Sequence, residues 1–329
     1  MAKSVNKAKN AITIRQHSLS ASAVLVGLAI FISINANAND VDTFQYIDAG
    51  SNDATEFAAP LAVVKRSPTE TMLENARRDL GRQDYPSALQ WLSKAVDKGL
   101  AAAQSLLASM YLNGLGVDGN DVVAFDLYQK AAKQSDADGQ AGLGTMYADG
   151  RGVARNDVIA VSWFSRAAKQ GNASAQRRLG LMYKEGRGVD RDPVAAAEWF
   201  RSAALQNEPQ AEDDLGVIFR EAQGVEQDDV EAAWWFRKSA EQDNPVAQTN
   251  LGLMYSEGRG VHQDDTEAVQ WFRRAAEHGN ALGQYYLGVN YAEGRGVDKD
   301  AAEAVRWLNN AAQQGIAQAR DYLQQDLTP

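Results

Sequence analysis

Few side chains in this chain have the type and spacing that catalysis needs. Among its 329 residues there is no cysteine, which removes thiol chemistry and a disulfide framework, and there are three histidines, His17, His262 and His278. His262 reads as a loop residue. His278 precedes Gly279 at the end of a helical pattern, where an imidazolium suits the negative helix terminus. Neither arrangement supplies a metal pair or a general base. The Ser-x-x-Lys spacing of a serine nucleophile and its base occurs at Ser4 to Lys7, inside a targeting-type segment. The recurring Gly-x-Gly loops lack the Gly-Lys-Ser/Thr ending that cradles phosphates. Carboxylates are plentiful, yet Asp192, Asp228, Asp264 and Asp300 recur in one slot of a regular pattern, so helix capping accounts for them more economically than acid–base pairing. The residues point to no catalytic centre, no metal and no cofactor.

The elements behind these patterns are repeated units. Leu107, Leu143, Leu179, Leu215, Leu251 and Leu287 follow each other at a constant step of 36 residues, each opening a copy of the stretch that reads LGLMYSEGRGV at 251–261. A fixed period of this length signals an array of supersecondary units. In the unit 172–207, Asn172 caps a first helix, here termed helix A, whose apolar residues Ala175, Leu179, Met182 and Tyr183 line one face. Gly186 ends it, since glycine alone enters the left-handed conformation without steric cost. Asp192 caps a second, helix B, with Pro193 at its first position. The equivalent slots hold Asn120, Asn156, Asp228, Asp264 and Asp300, and Glu231, Glu267 and Glu303 stand where a reciprocal capping box would place them. Helix B presents Ala196, Trp199, Phe200, Ala203 and Ala204, an apolar stripe from which Trp91, Trp163, Trp199, Trp235, Trp271 and Trp307 are predicted to enter the core.

The N-terminus has a different organisation. Lys3, Lys7, Lys9 and Arg15 precede an apolar run from Val24 to Ile34, and Ala36-Asn37-Ala38 follows, the order of a cleavable secretory signal. Residues 1–38 are read as a signal peptide cut after Ala38, and 39–66 as a flexible acidic leader. The apolar run is short for a membrane span of about 20 residues, so no membrane insertion is expected after cleavage. Cleavage removes four of the 33 basic residues and none of the 43 acids, for a mature charge of −14 that repels nucleic acid.

The alanine and glycine slots, the L-G-x-M-Y and G-x-G-V strings and the A-x-x-W-F-x-x-A-A stripe resemble the Sel-one-like repeat family, relatives of the tetratricopeptide repeats. The resemblance covers roughly residues 67–329. It implies an all-α, right-handed α/α superhelix: a degenerate first unit at 67–100, six repeats from about 101 to 316, and a capping helix at 317–327. The loop Ala222-Gln223-Gly224 departs from the pattern, because alanine lacks glycine's freedom in that turn. The resemblance further implies a scaffold for a protein or peptide partner in envelope signalling, secretion or host contact, periplasmic or secreted. Some exported relatives are linked to cell-wall or β-lactam-like compounds, which makes a cell-wall-fragment or β-lactam enzyme the alternative; those relatives are cysteine-rich, unlike this chain.

A scaffold binds through slots that vary between copies while the packing slots stay fixed. Two before the anchor leucine, helix A reads Ser105, Ala141, Arg177, Asp213, Thr249 and Tyr285; five after it, Leu112, Ala148, Lys184, Arg220, Ser256 and Ala292. By tetratricopeptide analogy both rows face a concave groove, so Arg177, Lys184, Asp213, Arg220 and Tyr285 are the candidate partner contacts. The competing reading pairs Arg177 and Arg178 with Asp213 and Asp214 across the repeat boundary. Trp234 is an independent candidate, because its slot holds Asp126, Ser162, Glu198, Gln270 and Arg306 elsewhere and should be exposed.

Overall fold

A computed structural model describes residues 67–325. The signal peptide and leader expected at 1–66 lie outside the described residues, as does the end of the tail. Fifteen helices fill the described segment: α1 (Pro68–Gly81), α2 (Tyr85–Asp97), α3 (Ala101–Asn113), α4 (Asp121–Lys133) and α5 (Ala137–Asp149) come first. They are followed by α6 (Asp157–Lys169), α7 (Ala173–Glu185), α8 (Pro193–Ala204), α9 (Pro209–Arg220) and α10 (Asp229–Ala240). The array ends with α11 (Pro245–Glu257), α12 (Asp265–Glu277), α13 (Ala281–Glu293), α14 (Ala301–Gln313) and α15 (Ala317–Gln325). Odd-numbered helices are the A helices and even-numbered ones the B helices. Each packs against its neighbours in sequence, the arrangement of an α/α solenoid. Successive A helices also touch, α3 with α5 and α11 with α13, and approach more closely than successive B helices, so the A helices form the inner face.

Local chemistry sets the ends of these helices. Asn172 accepts a hydrogen bond from Ala175 N, and Asp192 from Val194 N and Ala195 N. Gly186 takes the left-handed conformation at φ +70° and closes α7. In the irregular loop Ala222 is still driven to φ +55°, so the strain that alanine carries there is present. The capping boxes expected at Glu231, Glu267 and Glu303 form only by half. Asp228, Asp264 and Asp300 accept the backbone donors, but their own N–H groups are already taken by the carbonyls of Phe219, Tyr255 and Tyr291. Glu231 therefore turns to the Trp235 indole N–H, and a reciprocal box forms at Ser67 with Glu70 instead.

The deepest core residue of helix B is the phenylalanine beside the tryptophan. Phe164, Phe200, Phe236 and Phe272 are essentially inaccessible, whereas Trp163, Trp199 and Trp271 are half-buried and pack at the margin of the core. Arg166 lies over Trp163 at 4.5 Å and Arg274 over Trp271 at 4.7 Å, covering the outer ring faces. The expectation that the tryptophans enter the core holds for Trp235 and Trp307, which are buried, while Trp163, Trp199 and Trp271 span core and surface. Each phenylalanine ring lies on a glycine of its own A helix. A Cβ placed on Gly252 would stand 2.5 Å from Phe272 Cε1.

Two polar ladders run along the array. The first joins exposed donors to buried acceptors: Gln134, Gln170, Gln206 and Gln314 donate to Gln104, Gln140, Gln176 and Gln284 at 2.7–2.9 Å. His278 takes this glutamine's place, its Nδ1 3.3 Å from Gln248 Oε1, which gives it a structural contact at the end of α12. The second is the arginine of the loop. Arg151, Arg187 and Arg259 fork onto Asp121, Asp157 and Asp229 and also donate to the carbonyls of Leu112, Ala148 and Arg220. Arg155 and Arg187 together hold the Asp157 carboxyl down to about 2. At the irregular loop both partners change at once, because Gln223 stands in the arginine slot and Pro193 in the aspartate slot.

Two substitutions of one methyl group should act in opposite directions. Gly252→Ala forces Cβ against Phe272 and should cost about 1–3 kcal/mol, whereas Ala222→Gly relieves a left-handed alanine and should add about 1 kcal/mol. Denaturant midpoints measured side by side check both. Equal midpoints for the two variants would contradict the packing described.

Candidate functional site

The varying slots of the A helices line the inner face, and polar contacts between neighbouring A helices organise its centre. Arg177 Nε lies 2.7 Å from Asp214 Oδ2, one repeat further on. Asp213 accepts from Asn250 Nδ2 at 2.8 Å, and Asn250 Oδ1 in turn accepts from Arg220 Nη1 at 3.2 Å. Arg220 also reaches Glu221 and lies over the Phe236 ring at 5.3 Å. The structure thus links Asp213 and Arg220 through Asn250 of the next repeat, and pairs Arg177 of the preceding repeat with Asp214 beside them. Sequence reasoning passed over Asn250. Its slot, one before the anchor leucine, holds Leu106, Gly142, Arg178, Asp214 and Tyr286 in other copies, and that variability was the available signal.

The expected pairing is refined by these contacts. Arg177 pairs with Asp214, but Asp213 takes an amide rather than a guanidinium, and Arg178 makes no ion pair among the described residues. Lys184 likewise has no ion pair there, although its charge stabilises the Asp214 carboxylate from a distance. Nor is the whole row two before the leucine open to a partner. Ser105 and Thr249 are buried and hydrogen-bond Asp136 and Asn280, which cap the next A helix. Tyr285 sits further along, half-buried, edge-on to Tyr286, which stacks on Phe272 with centroids 5.2 Å apart. Val246 and Leu282 are exposed near that end, so the inner face passes from a charged centre to an apolar C-terminal stretch. Trp234 is 52% exposed on α10, away from the inner face, and meets Trp235 edge-on at 4.4 Å.

Asp213 is only 9% exposed, and burial, helped by the charge of Asp214, pushes its carboxyl up to about 6 against the hydrogen bond from Asn250. An unfolded chain would ionise this group near 3.8, so the folded state holds the proton more tightly; the resulting stabilisation is complete below 3.8 and is lost as pH rises through about 6. Asp213→Asn should therefore raise stability near neutral pH by about 1–3 kcal/mol, a gain that disappears in acid. Urea midpoints across this range check it, and a variant no more stable than the parent at neutral pH would show that Asn250 and Arg220 compensate the charge fully.

Among the described residues no group of three or more histidines, aspartates or glutamates is placed to hold a metal ion, and no helix is long and apolar enough to cross a membrane.

Comparison with known proteins places this architecture. The Sel1 repeat model matches seven successive units, 75–100, 101–136, 137–172, 173–208, 209–244, 245–280 and 281–316. Among solved structures, a Sel1 repeat protein from Oxalobacter formigenes is 30% identical, with 73% of this chain and 96% of that chain covered and a TM-score of 0.65. The protein c5321 of uropathogenic Escherichia coli, described as a protective antigen displaying an SLR fold, is 33% identical over 78% of this chain and 65% of that one, with a TM-score of 0.53. No curated protein matches. With seven consecutive units that satisfy the family model and the interlocking helices to go with them, the chain belongs to the Sel1 repeat family.

Proposed function

We propose that the protein is an exported scaffold that holds a protein or peptide partner along the inner face of its helical array, in the periplasm or beyond it. The observation that carries this reading is the division of labour between slots. Leu215, Gly216 and Phe236 of the fifth repeat are as buried as their counterparts in the fourth and sixth, while the inner-face residues change from Arg177 and Arg178 to Asp213 and Asp214 to Thr249 and Asn250. A surface that varies over an invariant core is what a repeat protein presents to a partner. Charged and apolar stretches in sequence suit an extended segment with matching pattern better than a small molecule. The order of basic residues, apolar run and Ala36-Asn37-Ala38 in 1–38, read as a secretory signal, supports the envelope as the place of action.

Within the proposed contact set, the residues differ in use. Arg177 neutralises Asp214, so reversing its charge would disturb the array itself. Lys184 of that set, and Arg178 beside Arg177 though outside the set, are free of ion pairs among the described residues and are the cleaner probes. Replacing both by glutamate should reduce capture of the partner from an envelope extract at least tenfold, with the denaturant midpoint shifted by no more than about 0.5 kcal/mol. Undiminished capture by that variant would remove this part of the inner face from the binding site. Export has its own test: intact-mass measurement of the periplasmic protein should find Asn39 at the N-terminus, and an uncut chain pelleting with membranes would contradict it.

A further inference from the structure

An open recess of about 230 Å³ lies on the inner face among α3, α4, α5 and α7, beside a departure in the second repeat. The phenylalanine slot of that repeat holds Tyr128, and the glycine on which the ring would lie is replaced by Ala108. The tyrosine ring instead meets Gly142 of the following repeat, where a Cβ would stand 2.3 Å from its Cε1. Gly142 occupies a slot that carries Leu106, Arg178, Asp214, Asn250 or Tyr286 in the other copies. The ring takes the space that a side chain at Gly142 would occupy, and the recess lies beside it, with Tyr128 and Gly142 both in its lining.

The lining has a defined chemistry. Leu112 and Ala141 supply apolar wall, and Thr145 and Ser174 supply hydroxyl oxygens. Asp138 stands at the edge. Its carboxylate accepts one hydrogen bond, from Asn172 Nδ2 at 2.8 Å, and has no cation partner among the described residues. Arg151, the nearest guanidinium to act on Tyr128, is committed to Asp121. Burial pushes the Tyr128 hydroxyl up to about 12 against a hydrogen bond with Ser109, and the charges of Asp138 and Arg151 act on it in opposite directions.

We propose that this cavity receives a lysine side chain of an extended peptide lying along the inner face, its stem against Leu112 and Ala141 and its ammonium at Asp138 with the hydroxyls of Thr145 and Ser174. A lysine matches because it joins an apolar stem to a compact cation with three donors. The proposal rests on the reading of the inner face as a peptide site and adds a residue preference to it.

The test uses the full chain and three acetylated, amidated pentapeptides of alanine with lysine, norleucine or glutamate at the centre, followed by saturation-transfer NMR. The lysine peptide should bind in the millimolar range, at least fivefold more tightly than norleucine, with no binding by glutamate. Asp138→Asn, whose side chain can still accept from Asn172, should abolish the preference over norleucine, and Tyr128→Phe should preserve it while keeping the ring in place. Equal binding of lysine and norleucine, an unaltered preference in Asp138→Asn, or no binding of the lysine peptide at millimolar concentration overturns the proposal. Loss of the lysine preference with partner capture intact refutes the pocket alone; lysine binding that survives while the inner-face variants capture normally refutes the charged centre and leaves the pocket standing.

Discussion

The contact between a phenylalanine of helix B and a glycine of helix A governs this molecule. Phe164, Phe200, Phe236 and Phe272 lie on Gly144, Gly180, Gly216 and Gly252 at distances that leave no room for a methyl group. Glycine lets the two helices close, and the ring fills the space that remains, so each hairpin is packed before it meets its neighbour. The anchor leucine and the small residues of helix B complete that core. Because the seal is made by residues facing inward, every slot that faces out is released from the requirements of packing. The varied inner face and the exposed Trp234 follow from that release.

Packing alone would still leave one helix free to turn against the next. The glutamine ladder and the arginine forks remove that freedom by two different means. A buried amide oxygen has few alternative donors, so the acceptors Gln104, Gln140, Gln176 and Gln284 set register through the glutamine of the same repeat's helix B. The arginine forks are more exposed and contribute less energy each, but they tie a loop to the start of a helix in the preceding repeat. Where Gln223 and Pro193 replace the arginine and aspartate together, neither residue is left with an unmet charge. Joint loss of both partners keeps the array intact where loss of one would not.

Much of this was legible in the residue pattern, and the parts that were not have physical reasons. Period, helix ends and the anchor leucines follow from local capping and spacing, and Asn172, Gly186 and Asp192 sit at their expected ends. The rank of phenylalanine over tryptophan in the core was not legible, because both fit the same helical stripe and only the distance between helices separates them. The half-formed capping boxes failed for a related reason: the backbone donors at Asp228, Asp264 and Asp300 are claimed by carbonyls of the preceding helix, and no local pattern records a tertiary bond. Likewise the inner-face residues could be named from their variability, but Ser105 and Thr249 proved to serve the next helix rather than a partner.

The fifth repeat shows how such an array specialises. Its core residues Leu215, Ile218 and Phe236 are fully buried, like those of its neighbours. Its polar residues change in compensating sets. Glu212 replaces a ladder glutamine and, though fully buried, is matched by Lys238 at 2.9 Å. Asp214 is matched by Arg177 of the repeat before, and Asp213 by Asn250 of the repeat after. A buried charge introduced alone would be costly, so each acid is tolerated only because a residue on a neighbouring helix changes with it. Individuality in this chain therefore resides in pairs that bridge elements rather than in single residues, and the acids Glu212 and Asp213 change the buried polar contacts at the middle of the array without altering the hairpin beneath them.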